Sequence, residues 1–465
     1  MMPVYPDPPS RRRWPWQGAT RGRLLVQMLI ALCIVSVPMT WVLVNYEGQN
    51  LNQTYTMSAV DGWCDAPTEG LGVHCFGDFQ LGRILLQDPE NVWTNEWGVP
   101  HPGTPLGMVP HQVTNWLAQT PLGVQGSLYI YLALMVVALV VPAAAVAYFG
   151  GAGVRGLLPF LVIGVATLPF LAALDRGSSV GFVVPLLLAF AWTLRRGPTW
   201  IAPTAVVLAS AFRPQYALLA IAFLALARFR AFAATVATAV AIQLVTFAVW
   251  PGGFAQTFDR WWTNINRYGS YVAITGDGAP SNLSASRALV IAAGWVAHLP
   301  TPLGSFGKAV GDYTVAHPAV PGYALVTIAA IIMIVARRRI PYPVVVVTTL
   351  ALPALLPAVS FIYYIVFVLV VAALLIGPID WPWSVEGDDG PSFGLVDAMN
   401  GRVGTTWAWA TMVATALSLF PLTITAGENR QAVVTEYLGF AWFLVVVLGL
   451  AWSVVLWARA RRATP

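Results

Sequence analysis

Residues 77–86 read Gly77-Asp78-Phe79-Gln80-Leu81-Gly82-Arg83-Ile84-Leu85-Leu86, an acid followed by a short amphipathic turn. They lie at the centre of a polar, Trp- and Pro-rich stretch, residues 46–116, between two long apolar runs. Asn91-Val92-Trp93 follows, and then the Pro-rich apolar run His101-Pro102-Gly103-Thr104-Pro105-Leu106-Gly107-Met108. A loop this long, placed directly after a first apolar helix, is usually functional rather than connective. Laid along a membrane face, the turn would aim the Asp78 carboxylate into a cavity. Asp78 is therefore the reference against which the other polar residues are weighed.

Composition sets the class. The 465-residue chain is 57% hydrophobic and 10% charged, with 20 Trp, whereas soluble proteins carry roughly 25% charged residues. The expected architecture is an all-α integral membrane protein, a polytopic helical bundle. It comprises a cytoplasmic tail at 1–23 and one membrane body at 24–465. The net charge of +5 reflects arginine clusters between apolar runs, so no nucleic-acid partner is expected. Among 25 basic residues only Lys308 is lysine, in an Ala- and Val-rich background that hints at a high-GC bacterial genome. Arg11-Arg12-Arg13 and Arg21 precede a run too long for a cleaved signal and without a convincing cleavage site, so the first helix is expected to stay as an anchor.

The apolar runs 24–45, 128–149, 156–174, 181–194, 201–212, 217–227, 231–250, 324–336, 344–360, 361–376, 407–425 and 440–457 give about twelve membrane segments. The run at 283–297 is short enough to read as interfacial or re-entrant. Arginines at 195–196, 228 and 230, 337–339, and 459, 461 and 462 mark the cytoplasmic side. Both termini are then inside a bacterial plasma membrane. Loops 46–124 and 251–321 lie outside, and an acidic, Gly-rich loop at 380–403 lies within. Cys33 falls in the first apolar run, while Cys64 and Cys75 lie in the outer loop and are disulfide candidates. No repeat period supports a transporter of duplicated halves.

Arg213 carries the strongest depth argument. From Arg196 to Arg213 is about 25 Å of helix, set against a hydrocarbon core of roughly 30 Å. This puts Arg213 near the external interface. An arginine at that depth is normally paired or functional. It either fastens helices through Asp175 or Asp259, or holds a lipid-linked phosphate, which guanidinium grips bidentately. Asp175-Arg176-Gly177-Ser178-Ser179 sits at the neighbouring outer tip. Asp78 has two readings as well: helix cap before Phe79, or general base towards a hydroxyl. His101 and His111 could touch sugar hydroxyls or simply fill space. Trp261 and Trp262 would line a carbohydrate cleft or sit at headgroup level. The external loops hold no Asp-x-Asp pair, and the chain holds no Walker loop or dinucleotide fingerprint. No metal and no cofactor are expected.

These segments resemble, in order along most of residues 24–376, the family 87 glycosyltransferases of the GT-C class. That family includes the polyprenyl-phosphate-mannose-dependent mannosyltransferases and related arabinofuranosyltransferases of mycobacterial and corynebacterial envelopes. Gly77-Asp78-Phe79 with Gly82-Arg83-Ile84-Leu85-Leu86 resembles the family's acid-containing segment, and residues 102–110 its Pro-rich stretch. Asp175-Arg176-Gly177 resembles an Arg-Gly-Asn segment, with Ser178 in place of Asn. Phe212-Arg213-Pro214-Gln215 resembles a Lys-Pro segment, with arginine for lysine. Asn282-Leu283-Ser284 resembles an Asn-x-Ser step. Ser360-Phe361-Ile362-Tyr363-Tyr364 resembles a His-Tyr segment, with Tyr363 in the histidine's place.

The resemblance implies a GT-C body whose first external loop covers the active site. It also implies inverting transfer from a polyprenyl-phosphate-sugar donor to a glycolipid or glycan acceptor. Asp78 would be the base. Arg213, Arg176, Gln215, Asn282, Tyr363, Tyr364 and His101 would bind substrate. The alternatives are a lipid-carrier flippase, disfavoured by charges gathered at one face, and a non-catalytic assembly partner.

Overall fold

The computed structural model describes residues 20–45, 76–94, 103–149, 167–196, 198–271, 282–300, 302–337, 339–376, 402–420, 425–426, 431–432 and 434–462. Helices dominate. In order they are α1 (Thr20–Asn45), α2 (Gly77–Leu85), α3 (Val109–Ala118), α4 (Gly123–Phe149), α5 (Leu168–Arg176), α6 (Val184–Arg196), α7 (Ile201–Phe212), α8 (Ile221–Ala225) and α9 (Phe229–Val249). Then come α10 (Gly253–Tyr271), α11 (Ala285–Ala297), α12 (Leu303–Ala316), α13 (Val320–Val335), α14 (Tyr342–Leu355), α15 (Phe367–Ile376), α16 (Arg402–Ser418) and α17 (Val434–Arg462). Short 3₁₀ helices precede α6, α8 and α15, at Ser179–Val183, Pro214–Ala220 and Ile362–Val366. The described strands are Thr425–Ala426 and Gln431–Ala432, an antiparallel pair of two residues each.

Among the described residues three helices are long and apolar enough to cross a membrane: Gly123–Ala145, Phe229–Val249 and Tyr437–Arg462. Leu303–Ala316 with Val320–Val335, bent by 101°, makes a fourth if the pair is one span. Further apolar helices of 10–17 residues measure about 15–25 Å, short of the hydrocarbon thickness. The run at 201–227 is broken at Arg213-Pro214 for a local reason. Proline disfavours the α conformation at the residue before it, and Arg213 is extended (φ −147°, ψ 122°).

The core centres on α14, whose fourteen residues are all buried. Its run Val344-Val345-Val346-Val347-Thr348-Thr349 is β-branched and of weak helix propensity. Burial decides instead, because backbone groups removed from water are satisfied within a helix. Thr349 Oγ1 donates back to Val345 O at 2.8 Å, and Tyr342 Oη donates to Ala191 O on α6 at 3.0 Å. On the far side α16 packs against α17, where Trp407 Nε1 donates to Val445 O at 3.0 Å.

Among the described residues of the 251–321 region, expected to hold one short helix, lie α10, α11 and α12. Residues 284–286 are tied to the core by Asn282, described below. Cys64, Cys75, His101 and nearly all of the 380–403 loop lie outside the described residues.

Candidate functional site

The site is built on α2. Phe76 caps it with a left-handed backbone (φ 46°) and no side-chain cap bond. The helix begins at Gly77, so Asp78 stands inside the first turn rather than in the cap position before Phe79 that one of its two sequence readings assigned. There the carboxylate meets the positive end of the helix dipole and a specific partner. Arg176 Nε donates to Asp78 Oδ1 at 3.1 Å, with the two side chains 17% and 15% exposed. The pair joins positions 98 residues apart.

Arg176 ends α5, and Gly177 closes that helix in the left-handed conformation (φ 62°), where a side chain would be strained. A Cβ at Gly177 would also lie 3.0 Å from Phe79 Cβ. The tip of α5 thus rests on the first turn of α2. Tyr131 Oη on α4 donates to Gly177 O at 3.0 Å and fixes that tip from below.

On its other side α2 meets α3. Gly82 lies so near His111 that an added Cβ would fall 2.5 Å from His111 Cγ. His111 is 2% exposed, stacks on Tyr131 at 5.9 Å between ring centroids, and leaves its buried Nδ1 without a hydrogen-bond partner. Burial pushes its pKa down to about 4, with Asp78 raising it and Arg213 lowering it by smaller amounts. The imidazole is therefore neutral near pH 7 and lies within electrostatic reach of both charges.

Arg213 is buried, 4% exposed. The Pro-rich run packs against the end of its helix: a Cβ on Gly107 would fall 2.7 Å from Phe212 O. A chain of rings links Arg213's neighbour to Asp78's neighbour. Phe212 stacks on Phe182 (6.2 Å), Phe182 meets Tyr131 edge-on (5.1 Å), and Tyr131 touches Phe79 (5.2 Å).

Of the other expected residues, Tyr363 and Tyr364 are buried (6% exposed each), with ring centroids 5.0 Å apart. They lie on the 3₁₀ helix Ile362–Val366, which packs against α5. Tyr216, two residues past Pro214, is within electrostatic reach of Tyr364 and Arg213. Gln215 is half-buried beside it. Asn282 is 1% exposed, and its amide binds backbone only. Nδ2 donates to Ala358 O at 2.9 Å, and Oδ1 accepts from Ser284 N and Ser360 N, each at 3.0 Å. Asn282 thus clasps the start of α11 to the segment leading to Tyr363.

Sequence reasoning gave little weight to three residues the structure brings to this place: His111, Tyr131 and Tyr216. His111 had a weak signal, as one of five histidines in the chain, set three residues after the Pro-rich run. Tyr131 and Tyr216 are hidden in apolar runs. Among the described residues several buried hydroxyls have no hydrogen-bond partner, Ser178, Ser179, Tyr216, Thr235, Thr348 and Ser360; Ser178 and Ser179 directly follow Gly177, and Tyr216 is within electrostatic reach of Arg213. Buried hydroxyls are normally satisfied, so Ser178, Ser179 and Tyr216 leave hydrogen-bonding capacity near the charged residues. Taken together, the site offers an oriented carboxylate, a buried guanidinium and a neutral imidazole at the meeting of α2, α3, α4, α5 and α7. No protein-family model matches the chain, and no curated protein matches it.

Proposed function

We propose that this chain is a multi-pass membrane glycosyltransferase of the GT-C type. It takes mannose from a polyprenyl monophosphate carrier and gives it to a cell-envelope glycolipid or polysaccharide on the external face. Arabinofuranose transfer is the alternative within the same class. The reading rests on one observation above the others: Asp78 and Arg213, from separate segments, both act electrostatically on the buried His111, and Arg176 from a third segment is bonded to Asp78. A base held in place beside a phosphate-binding cation is what inverting transfer from a lipid phosphate requires.

Asp78 takes the proton of the acceptor hydroxyl while that oxygen bonds to the anomeric carbon from the face opposite the phosphate. The bond from that carbon to the phosphate oxygen breaks, and its electron pair leaves on the oxygen. Arg213 meets the charge that develops there. Arg176, expected as a phosphate ligand, is assigned a positioning role because its Nε–H is committed to Asp78. Asn282 is likewise assigned a positioning role, since its amide binds backbone. Tyr216, Tyr363 and Tyr364 face the sugar side. The active face is external, both termini are cytoplasmic, and the shorter apolar helices complete a bundle of about twelve segments.

Purified protein in lipid nanodiscs, given a labelled polyprenyl-phosphate-sugar donor and an envelope-lipid extract as acceptor, tests the reading. Asp78→Asn keeps an oxygen for Arg176 and removes the basicity. It should fold and bind donor, yet lose transfer by about 10²–10⁴-fold. Near-normal transfer by that variant would sink the assignment of Asp78 as the base.

A further inference from the structure

The helix α10 presents three distinct faces at 100° per residue. Phe254, Phe258 and Trp262, spaced by four, lie on one face and are 43%, 37% and 53% exposed. Their rings run nearly parallel, with centroids 5.6 and 6.3 Å apart and planes inclined by 7° and 8°. Gln256, Asp259 and Thr263, all exposed, hold a second, polar face. The third face grips the loop that follows α2. Arg260 Nη1 donates to Glu90 O at 2.7 Å and Asn91 Oδ1 at 3.1 Å, and Asn264 Nδ2 donates to Trp93 O at 3.2 Å.

The aromatic face continues a surface already suited to lipid. Helix α9 is long and apolar enough to cross a membrane, and its end exposes Val245 (59%) and Val249 (75%). The chain then turns through Gly252 and Gly253, both at positive φ, and α10 packs back on the end of α9. Phe247 there lies 6.4, 5.6 and 5.3 Å, centroid to centroid, from Phe254, Phe258 and Trp261. An apolar stripe beside a polar face, at the end of a span, with an indole at its far end, is the arrangement of a helix lying in the membrane interface. The polar groups Gln256, Asp259 and Thr263 lie off the stripe, which is apolar apart from the Trp262 indole N–H.

We infer that α10 is an interfacial helix: Phe254, Phe258 and Trp262 insert into the lipid leaflet on the Asp78 side, and lipid contact holds the 88–94 loop in place through Arg260 and Asn264. The loop and the end of α2 share a small core, Leu85, Leu86, Val92, Trp93 and Met108, against which Trp261 packs. The mounting of α2, and with it Asp78, therefore depends on where α10 sits. This inference is independent of the reaction assigned to the site.

Full-length protein carrying p-benzoylphenylalanine at position 258 or 262, in nanodiscs of phosphatidylethanolamine and phosphatidylglycerol, should give phospholipid adducts on irradiation. The same label at Gln256 should give none above background. Adducts to glycan or protein at 258 and 262, products of water alone there, or equal lipid labelling at 256 would each overturn the lipid assignment. Phe258→Glu with Trp262→Glu should speed amide hydrogen exchange across residues 86–94, while Phe258→Leu with Trp262→Phe should leave it unchanged. Equal exchange in wild type and the double-glutamate variant would overturn the coupling to the loop.

Discussion

Gly82 controls how closely α2, and so Asp78, can sit on the rest of the site. A methyl group there would lie 2.5 Å from His111 Cγ, 2.6 Å from Nδ1 and 2.9 Å from Cβ. Ordinary carbon contacts need roughly 3.5–4.0 Å, so helix and ring must part by about 1 Å. The ring has little room, being 2% exposed and stacked on Tyr131. Overpacking of this kind costs about 1–3 kcal/mol. Better helix propensity returns up to about 1 kcal/mol of that, so Gly82→Ala should cost a net 1–2 kcal/mol or thereabouts and still fold. Asp78 lies one turn before Gly82 on the same helix face, so the displacement reaches the carboxylate. A shift of about 1 Å at a reacting group costs on the order of 10²-fold in rate.

The assay pairs thermal unfolding in nanodiscs with transfer kinetics. The expected result is a modest fall in midpoint with a far larger fall in kcat. In a His111→Ala background, where the ring is gone, Gly82→Ala should cost much less in both readouts. A Gly82→Ala variant indistinguishable from wild type, or one equally impaired in both backgrounds, would refute the reasoning.

Other outcomes follow from the same geometry. Arg213→Lys keeps charge but loses the bidentate fork, so donor affinity should fall by about 10- to 100-fold; unchanged binding in a donor titration would remove Arg213 from the phosphate. The His111 pKa is about 4 in the folded chain against 6.5 unfolded. Its stability contribution is therefore complete above pH 6.5 and is lost as pH falls towards 4, by up to about 3 kcal/mol. His111→Asn should have a shallower midpoint-versus-pH slope than wild type between pH 7 and 4.5, and identical slopes would contradict this. Asn282→Ala deletes three buried backbone bonds and should cost about 3 kcal/mol, as chemical denaturation can measure.

Where local physics dominates, the chain was readable. The expected run 231–250 is found as Phe229–Val249, and the run 201–212 as Ile201–Phe212. In the first, apolar length is enough, and in the second Pro214 fixes the stop. The 251–321 region was less readable because α10 and α12 are not long apolar runs. α12 carries Gly304, Gly307 and Gly311, which read as loop. Those glycines let it lie on α11, where a Cβ at Gly307 would come within 2.7 Å of Ala297 N. α10 does carry a helical pattern, Phe254, Phe258 and Trp262 spaced by four, but its mixture of aromatic and polar residues is unlike an apolar span. The acid-containing segment stands out in the sequence as a candidate site, but no spacing rule connects Asp78 to an arginine 98 residues on.

That connection changes what Asp78 can be. As a cap, it would have stood before the first turn and bound backbone N–H groups of its own helix, with no need of anything else. It stands within the first turn instead, and the bond it makes runs to α5. Had fastening alone been the purpose, the neighbourhood could have been apolar, because ion pairs removed from water seldom outperform packed side chains. Here the pair sits beside a buried histidine with an unpartnered nitrogen and within reach of a second, buried arginine. A carboxylate partly open at 15% exposure and held by one guanidinium, with a second arginine acting on the same buried histidine, is costly as scaffolding and well placed as chemistry. The weight of the functional reading therefore falls on the pairing of Asp78 with Arg176. Arg176→Gln, which keeps a donor but loses the fixed fork, should lower kcat more than donor affinity. A variant that lost donor binding with kcat intact would return Arg176 to the phosphate and leave Asp78 without its guide.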